Sequence, residues 1–431
     1  MKLSDSPALP WFALGASLIV AFGVWHWAAA VLVPTYTQKV LAQKRPIGNN
    51  SDLYPRWLGT RELLLLGRDP YSPEVTREIQ IGFYGRPLNP QNPSDPAARE
   101  SFVYPLYVAF LFAPTVNLPF RTVAEVSRWL LLVAIAGSVP LWMDALRLRF
   151  RWPLVISGMM LAASSYPAVE EYAQQNLAAL VIFVLAAAAA AAARRWLMLS
   201  GFLLALATVK PDTAGPVILW FLLWAAAGWR QRSRLLWSFA GTLTVLVIAA
   251  QAVSPGWIPR FVAAVREYPA YGTDPSILQV LLPIWLADLL VAVIVVLAAV
   301  MCWRWRKAKA DSNHFGWALA WVTTATLMIL PKLAAYNELL LIPALLLLAA
   351  RYQRLADRGL LARALTKGAF ACQIWQWLAA TALAICAFVL PFARLRTAAE
   401  LPLYTLLALP PLTFLAVLSN TFSLRGSPVE T

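Results

Sequence analysis

Cysteine and histidine are nearly missing from this chain. Its 431 residues hold three cysteines and two histidines. Cys302, Cys372 and Cys386 fall in apolar runs without paired spacing, so neither a disulfide framework nor a thiolate zinc site is encoded. His26 lies between Trp25 and Trp27 in the first apolar run, and His314 follows a charged loop. Two such isolated imidazoles exclude a histidine-rich metal cluster and leave a Ser-His-Asp relay without its base. Charge is scarce too: 13% of residues are Asp, Glu, Lys or Arg, against roughly 25% in soluble domains. Any chemistry must use carboxylates, Lys, Arg, Tyr or Asn.

What is abundant is apolar surface. Sixty per cent of residues are hydrophobic, with 20 Trp and 31 Pro, which excludes disorder and disfavours a soluble enzyme. The formal charge of +15 would suggest nucleic acid as the partner of a soluble protein. In so apolar a chain the bilayer explains it better, because cytoplasmic loops of polytopic proteins collect Lys and Arg. The expectation is an all-α, multi-pass protein of the cell membrane, in contact with membrane lipids and not with nucleic acid.

Candidate membrane helices fall near 11–34, 102–118, 122–145, 153–168, 176–193, 196–209, 214–229, 235–253, 277–302, 315–331, 337–350, 370–391 and 402–419. The first run is too long for a removed signal peptide and reads as an anchor. Five basic clusters punctuate the rest: Arg147 to Arg151, Arg194–Arg195, Arg230 to Arg234, Arg304 to Lys309, and Arg351 to Lys367. They mark alternate boundaries and so define a cytoplasmic face. Glu170, Glu171, Asp212, Glu267, Asp274, Glu338 and Glu400 mark the opposite one. With a cytoplasmic N-terminus, parity requires one early segment not to cross. The run 102–118, broken by Pro105, Pro114 and Pro119, is the candidate for a re-entrant piece. About 12 crossings then remain, in a single integral membrane domain over 1–431.

The long hydrophilic stretch is 35–101, expected to be the first extracytoplasmic loop. It holds nine basic and seven acidic residues. Val75, Ile79 and Phe83 recur at i, i+4 and i+8, predicting a short amphipathic helix lying on the membrane. The segment LNPQNPSDPAA that follows reads as a Pro-Asn loop. The core is expected over 102–350, and 351–431 supplies a basic cytoplasmic loop and C-terminal helices.

Charges at the edges of apolar segments are costly and mark functional sites by default. Asp52, Lys210, Asp212, Asp274, Lys332 and Glu338 all fall near the outer face. Each has an ordinary alternative. Asp52 could cap a helix and pair with Arg56 four residues on. Lys210 and Lys332 could snorkel to headgroups. Asp69-Pro70-Tyr71 is a turn by composition, Gln175 and Asn176 could cap the next helix, and Tyr54, Trp57, Tyr336 and Asn337 could be interfacial packing.

Five segments in order resemble a known family. DLYPRWLGTRELLLLGRDPYSPEV at 52–75 places an Asp after the first helix, then Tyr54, then Gly67, Asp69, Pro70 and Tyr71. FVYPLYVAFLFAP at 102–114 carries Tyr104-Pro105, with Leu106 where a second Pro is usual. QQNLAALVIF at 174–183 has Gln174 in place of Gly. GFLLALATVKP at 201–211 is a small-residue helix ending in Lys-Pro. LPKLAAYNELLLIPALLLL at 330–348 has Tyr336-Asn337 where His-Tyr is common. Together they resemble the polytopic C-type glycosyltransferases, carbohydrate-active family 87 in particular.

That resemblance implies a glycosyltransferase-C fold with a long outer loop and a catalytic core over 102–350. It implies inverting transfer of a hexose, mannose in the best-known members, from a polyprenyl-phosphate donor to a lipid or glycan acceptor on the outer face. Asp52 would be the general base. Lys210, Arg56 and Lys332 would hold the donor phosphate. Tyr54, Asp69, Tyr71, Tyr104, Gln175, Asn176, Asp212, Tyr336 and Asn337 would line the substrate site. The outer carboxylates could hold one divalent metal, although no dense Asp/Glu pattern requires it. Two other readings stay open: a transporter or flippase of polyprenyl-linked lipids, and a non-catalytic assembly partner that keeps the fold.

Overall fold

The computed structural model describes residues 8–42, 48–89, 91–92, 95, 100–268, 275–332, 334–352 and 359–422. Every regular element among them is helical. Asp274, most of the Pro-Asn segment after Asn89, and Arg354 and Arg358 of the last basic cluster lie outside the described residues. In chain order the helices begin with α1 (Leu9–Leu41), α2 (Leu53–Leu66), α3 (Pro73–Tyr84), α4 (Leu106–Thr115), α5 (Phe120–Ala145) and α6 (Trp152–Ala163). Next come α7 (Tyr166–Gln174), α8 (Ala178–Ala193), α9 (Leu197–Ala207), α10 (Pro211–Ala227), α11 (Trp229–Val253) and α12 (Trp257–Glu267). The last are α13 (Ile277–Leu281), α14 (Ile284–Trp305), α15 (Asn313–Ile329), α16 (Ala335–Ala350), α17 (Leu360–Ala387) and α18 (Phe392–Thr421). Among the described residues, α1, α5, α11, α14, α17 and α18 are long and apolar enough to cross a membrane. Six others, α4, α6, α8, α9, α10 and α16, are apolar but only 10–17 residues long.

The bundle has two chemically different ends. At one, Arg194 pairs with Asp144 at 2.7 Å and Arg147 donates to the Ala193 carbonyl. Ser238 reaches the Met198 carbonyl at 2.7 Å, Arg232 the Ala308 carbonyl at 2.8 Å, and Arg351 the Asn313 side chain at 2.7 Å. Trp11, near the start of α1, packs edge-on against Trp152 at 4.9 Å. The described parts of all five basic clusters therefore gather here together with the first turns of α1. At the other end lie α2, α3, α4, α7, α12 and the Lys39–Glu400 ion pair at 2.8 Å.

The segment 102–118 stays at that second end. Tyr104 reaches the interior there, while the Thr115 carbonyl accepts from Trp57 Nε1 at 3.2 Å just before α5 begins. Pro105 starts its first tight turn and Pro114 sits in its last, so each proline interrupts the backbone bonds a full crossing needs.

The loop helices form as their sequence dictates. Gly67, at φ 65°, closes α2, with its N–H on the Leu63 carbonyl and the Arg68 N–H on the Glu62 carbonyl, a glycine left-handed cap. Ser72 then caps α3 by accepting from the Val75 N–H at 3.2 Å, with Pro73 in the first turn. The expected amphipathic face of α3 is present, but it does not rest on the membrane: Val75, Ile79 and Phe83 are buried against Leu53, Trp57 and Phe102. Periodicity reports that one face is covered, and here protein rather than lipid covers it.

Small residues bring the core helices close. Most of the poly-Ala α8 is buried. A Cβ on Gly201 of α9 would lie 2.2 Å from the Leu235 carbonyl oxygen of α11, so the two backbones meet with no space for a side chain. Gly201→Leu is expected to separate α9 from α11 and lower the thermal midpoint of the detergent-solubilised protein by several degrees. That size follows from overpacking penalties of roughly 1–3 kcal/mol.

Candidate functional site

At the end opposite the basic clusters a cavity of about 680 Å³ opens between α2, α9, α10, α12 and α16. Asp52, Arg56, Tyr104, Asn176, Lys210, Asp212, Lys332, Tyr336 and Asn337 line it, although they come from five separate stretches of the sequence. Tyr54, Asp69, Tyr71 and Gln175 do not.

Asp52 sits where the chain enters α2. Its N–H donates to the Gln174 carbonyl at 2.8 Å, fixing the loop to the end of α7. Ser51, not Asp52, does the local work: its hydroxyl accepts from the Leu53 N–H at 3.2 Å and donates to Gln175 Oε1 at 2.7 Å. The Asp52 carboxylate makes no cap and turns to the cavity. Its Oδ2 accepts from Asn176 Nδ2 at 2.6 Å and, at 3.5 Å, from the Tyr336 hydroxyl. Asn176 Nδ2 also donates to the Tyr336 oxygen at 3.1 Å, closing a three-residue network. Among the described residues no donor bonds to Oδ1, which leaves that oxygen able to take a proton.

Arg56 does not pair with the Asp52 carboxylate. Its guanidinium donates to the Asp52 carbonyl, stacks over the Tyr104 ring at 4.2 Å, and is 7% exposed. Nε has no partner. Burial works against its charge, but the combined fields of Tyr104, Asp52, Glu100 and Tyr268 outweigh that and hold its pKa above the usual arginine value. Lys210, 5% exposed, ends the α9–α10 link. Its Nζ lies 3.0 Å from Asp212 Oδ2 and 6.0 Å from the centre of the Tyr336 ring. Pro211 starts α10 immediately after it and fixes the direction of the chain.

Asn176 also has its capping role, since Oδ1 accepts from the Ala178 N–H at 3.0 Å. Gln175 stands apart from the cavity: fully buried at φ 56°, it spends its amide on Ala124 and Ser51 and so locks α7 to α5. Tyr54 packs edge-on against Phe120 at 4.9 Å. Tyr71 and Asp69 form a layer behind the wall. The Tyr71 hydroxyl donates to the Tyr104 carbonyl at 2.7 Å, and Asp69 accepts from the Tyr71 N–H while pairing with Arg260 at 3.0 Å.

Sequence reasoning missed one wall entirely. Phe261, Val262, Val265 and Arg266 of α12, with Tyr268 after it, complete the lining. Trp257, Phe261 and Val265 repeat at i, i+4 and i+8, the spacing that identified α3, and would have identified α12. Three acids lie behind the cavity: Glu170 and Glu171, which the sequence offered only as boundary markers, and Glu338, one of its outer-face charges. Glu170 accepts from the Tyr336 N–H at 2.8 Å; Glu171 and Glu338 are both buried, Glu171 facing the Ala179 N–H and Glu338 with no hydrogen-bond partner among the described residues. Burial, reinforced by Asp52, pushes the Glu170 carboxyl up to about 7 and moves Glu171, on the same helix, well above the ordinary carboxylate range. Among the described residues no three His, Cys, Asp or Glu side chains converge as metal ligands, so no step is derived through a divalent ion.

The arrangement offers the Asp52 carboxylate, with one oxygen unbonded among the described residues, facing three cations across an open cavity, a layout suited to proton removal beside a leaving phosphate. Compared with known proteins, residues 102–331 match the model of glycosyltransferase family 87. That span includes Tyr104, Asn176, Lys210, Asp212 and α12, and precedes Lys332. No curated protein and no solved structure matches the chain.

Proposed function

Because the chain belongs to glycosyltransferase family 87, we propose that the cavity transfers a hexose, mannose as the leading candidate, from a polyprenyl-phosphate donor to a lipid or glycan acceptor with inversion. The observation that carries this reading is the convergence of Asp52, Asn176 and Tyr336 with Arg56, Lys210 and Lys332 on one cavity. The acceptor oxygen attacks the anomeric carbon as Asp52 takes its proton, and the bond from that carbon to the phosphate oxygen breaks. The polyprenyl phosphate departs with the extra negative charge, which Arg56, Lys210 and Lys332 neutralise. Tyr104 and Asn337 line the sugar's surroundings. Tyr54, Asp69, Tyr71 and Gln175 act from behind the wall.

A lipid-held donor is supported by helix length. The 11 residues of α9 rise roughly 17 Å, well short of a hydrocarbon core of about 30 Å, so the Lys210 side of the cavity reaches below the headgroups. The reading takes the six long apolar helices together with the shorter α6, α8, α9, α10, α15 and α16 as twelve crossings of the cell membrane. The positive-inside rule then puts the basic end and the N-terminus in the cytoplasm and the cavity outside.

The decisive experiment supplies purified protein with a panel of radiolabelled polyprenyl-phosphate sugars and a membrane lipid extract, followed by mass spectrometry of labelled products. A labelled glycoside is expected with one member of the panel. Release of no product from any of them overturns the reading. Lys210→Ala should raise the donor concentration needed for half-maximal rate by about tenfold to a hundredfold, the size of one charge-assisted phosphate contact; an unchanged requirement removes Lys210 from the site.

A further inference from the structure

Glu170 lies one layer behind the cavity, where α7 meets the start of α16. Its Oε2 accepts from the Tyr336 N–H at 2.8 Å, and the Ala335 N–H adds to the same carboxyl. These are two of the N–H groups that a helix start leaves without partners of its own. The residue held in this way is the one whose hydroxyl meets Asp52 Oδ2 and whose oxygen accepts from Asn176. We propose that Glu170 is a positioning residue, which by gripping the backbone of Tyr336 sets the register at which the Tyr336 hydroxyl meets Asp52. This rests on the reading in which Asp52 carries the chemistry.

The grip depends on charge. A carboxylate holds a backbone N–H about twice as strongly as a neutral acceptor does. The groups that bear on Glu170 are Asp52 before α2, Tyr36 of α1, Tyr166 and Glu171 of α7, Lys332 before α16, and Tyr336 and Glu338 within α16. Burial first, and then the charge of Asp52, outweigh the two N–H groups and Lys332 and push the Glu170 carboxyl up to about 7. Above that pH the carboxylate grips firmly; below it the neutral acid grips weakly.

The test compares kcat between pH 5.5 and 8.5 for the wild type, Glu170→Gln and Glu170→Ala. The wild type should rise through a midpoint near 7 by roughly threefold to tenfold, the difference between a charged and a neutral acceptor. Glu170→Gln keeps an acceptor oxygen but cannot titrate, so its rate should stay flat across that range at the wild type's acid plateau. Glu170→Ala should fall below both, with the loss in kcat rather than in the KM for donor. A wild-type midpoint retained in Glu170→Gln, or equal rates for the Ala and Gln variants, overturns the assignment. An arm independent of transfer follows the carboxyl stretch by infrared difference spectroscopy. A band titrating near 7 should vanish in Glu170→Gln, and a tyrosine band changing with it should vanish in Tyr336→Phe. A carboxyl titration without the Tyr336 band overturns the coupling even if no sugar is transferred. Absence of transfer with both bands intact counts against the enzymatic reading alone.

Discussion

Asp52→Asn should reduce transfer by about 10²- to 10⁴-fold, the range a positioned general base contributes, while the amount of folded protein in the membrane stays the same. The amide keeps an oxygen for Asn176 Nδ2 and for the Tyr336 hydroxyl, the two groups that hold Oδ2. The local network survives, and only the ability to accept a proton is lost. Radiolabelled transfer and elution as a single detergent-solubilised species give the two readings. Full activity in this variant would remove Asp52 from the chemistry; equal loss of activity and folded protein would make it structural.

Arg56→Lys should cost nearly as much as Arg56→Ala, about 10²-fold or more in kcat/KM for the donor, comparable to the removal of one oriented donor from a charge-stabilising site. The guanidinium does three things at once: it stacks over Tyr104, holds the Asp52 carbonyl and keeps Nε unpaired beside the cavity. An ammonium cannot present a planar face together with a fork of donors. Inhibition by free polyprenyl phosphate should weaken in parallel, because that molecule carries the charge without the sugar. Recovery of activity in Arg56→Lys would reduce Arg56 to a general source of positive charge. Lys210, already neutralised by Asp212 at 3.0 Å, should show the smaller loss given above.

The sequence told most about features that rest on local rules. Apolar runs, alternate basic clusters and the prolines of 102–118 follow from transfer energetics and backbone chemistry, and the long apolar helices, the end where the basic clusters gather and the broken backbone of α4 correspond to them. The charges that single out Asp52, Lys210 and Lys332 also converge, because a charge at the end of an apolar run has few places to go. Contacts set by tertiary packing were harder to read. The pattern of α3 showed a buried face without showing that Trp57 and Phe102 cover it. Gln175 adjoins Asn176 in the chain yet turns the other way, because its left-handed backbone sends the amide to Ala124. The α12 wall carries Pro259, Arg260, Arg266 and Glu267, which keep it from forming an apolar run, so its periodicity passed unread. Several helices are short because they stop at the cavity: α9 ends three residues before Lys210 and α10 begins one residue after it.

The wiring of Asp52 also sets an order of assembly. Its side-chain partners Asn176 and Tyr336 stand 124 and 284 positions further along the chain. At about 5–20 residues per second of synthesis, α2 and α3 leave the ribosome roughly 15–60 s before Tyr336 does. During that interval the carboxylate has no fixed orientation and the buried Arg56 has no finished pocket. The network around Asp52 is therefore completed late and all at once, when α16 arrives, so a ribosome-bound chain stopped before residue 336 would carry α2 and α3 but no finished site.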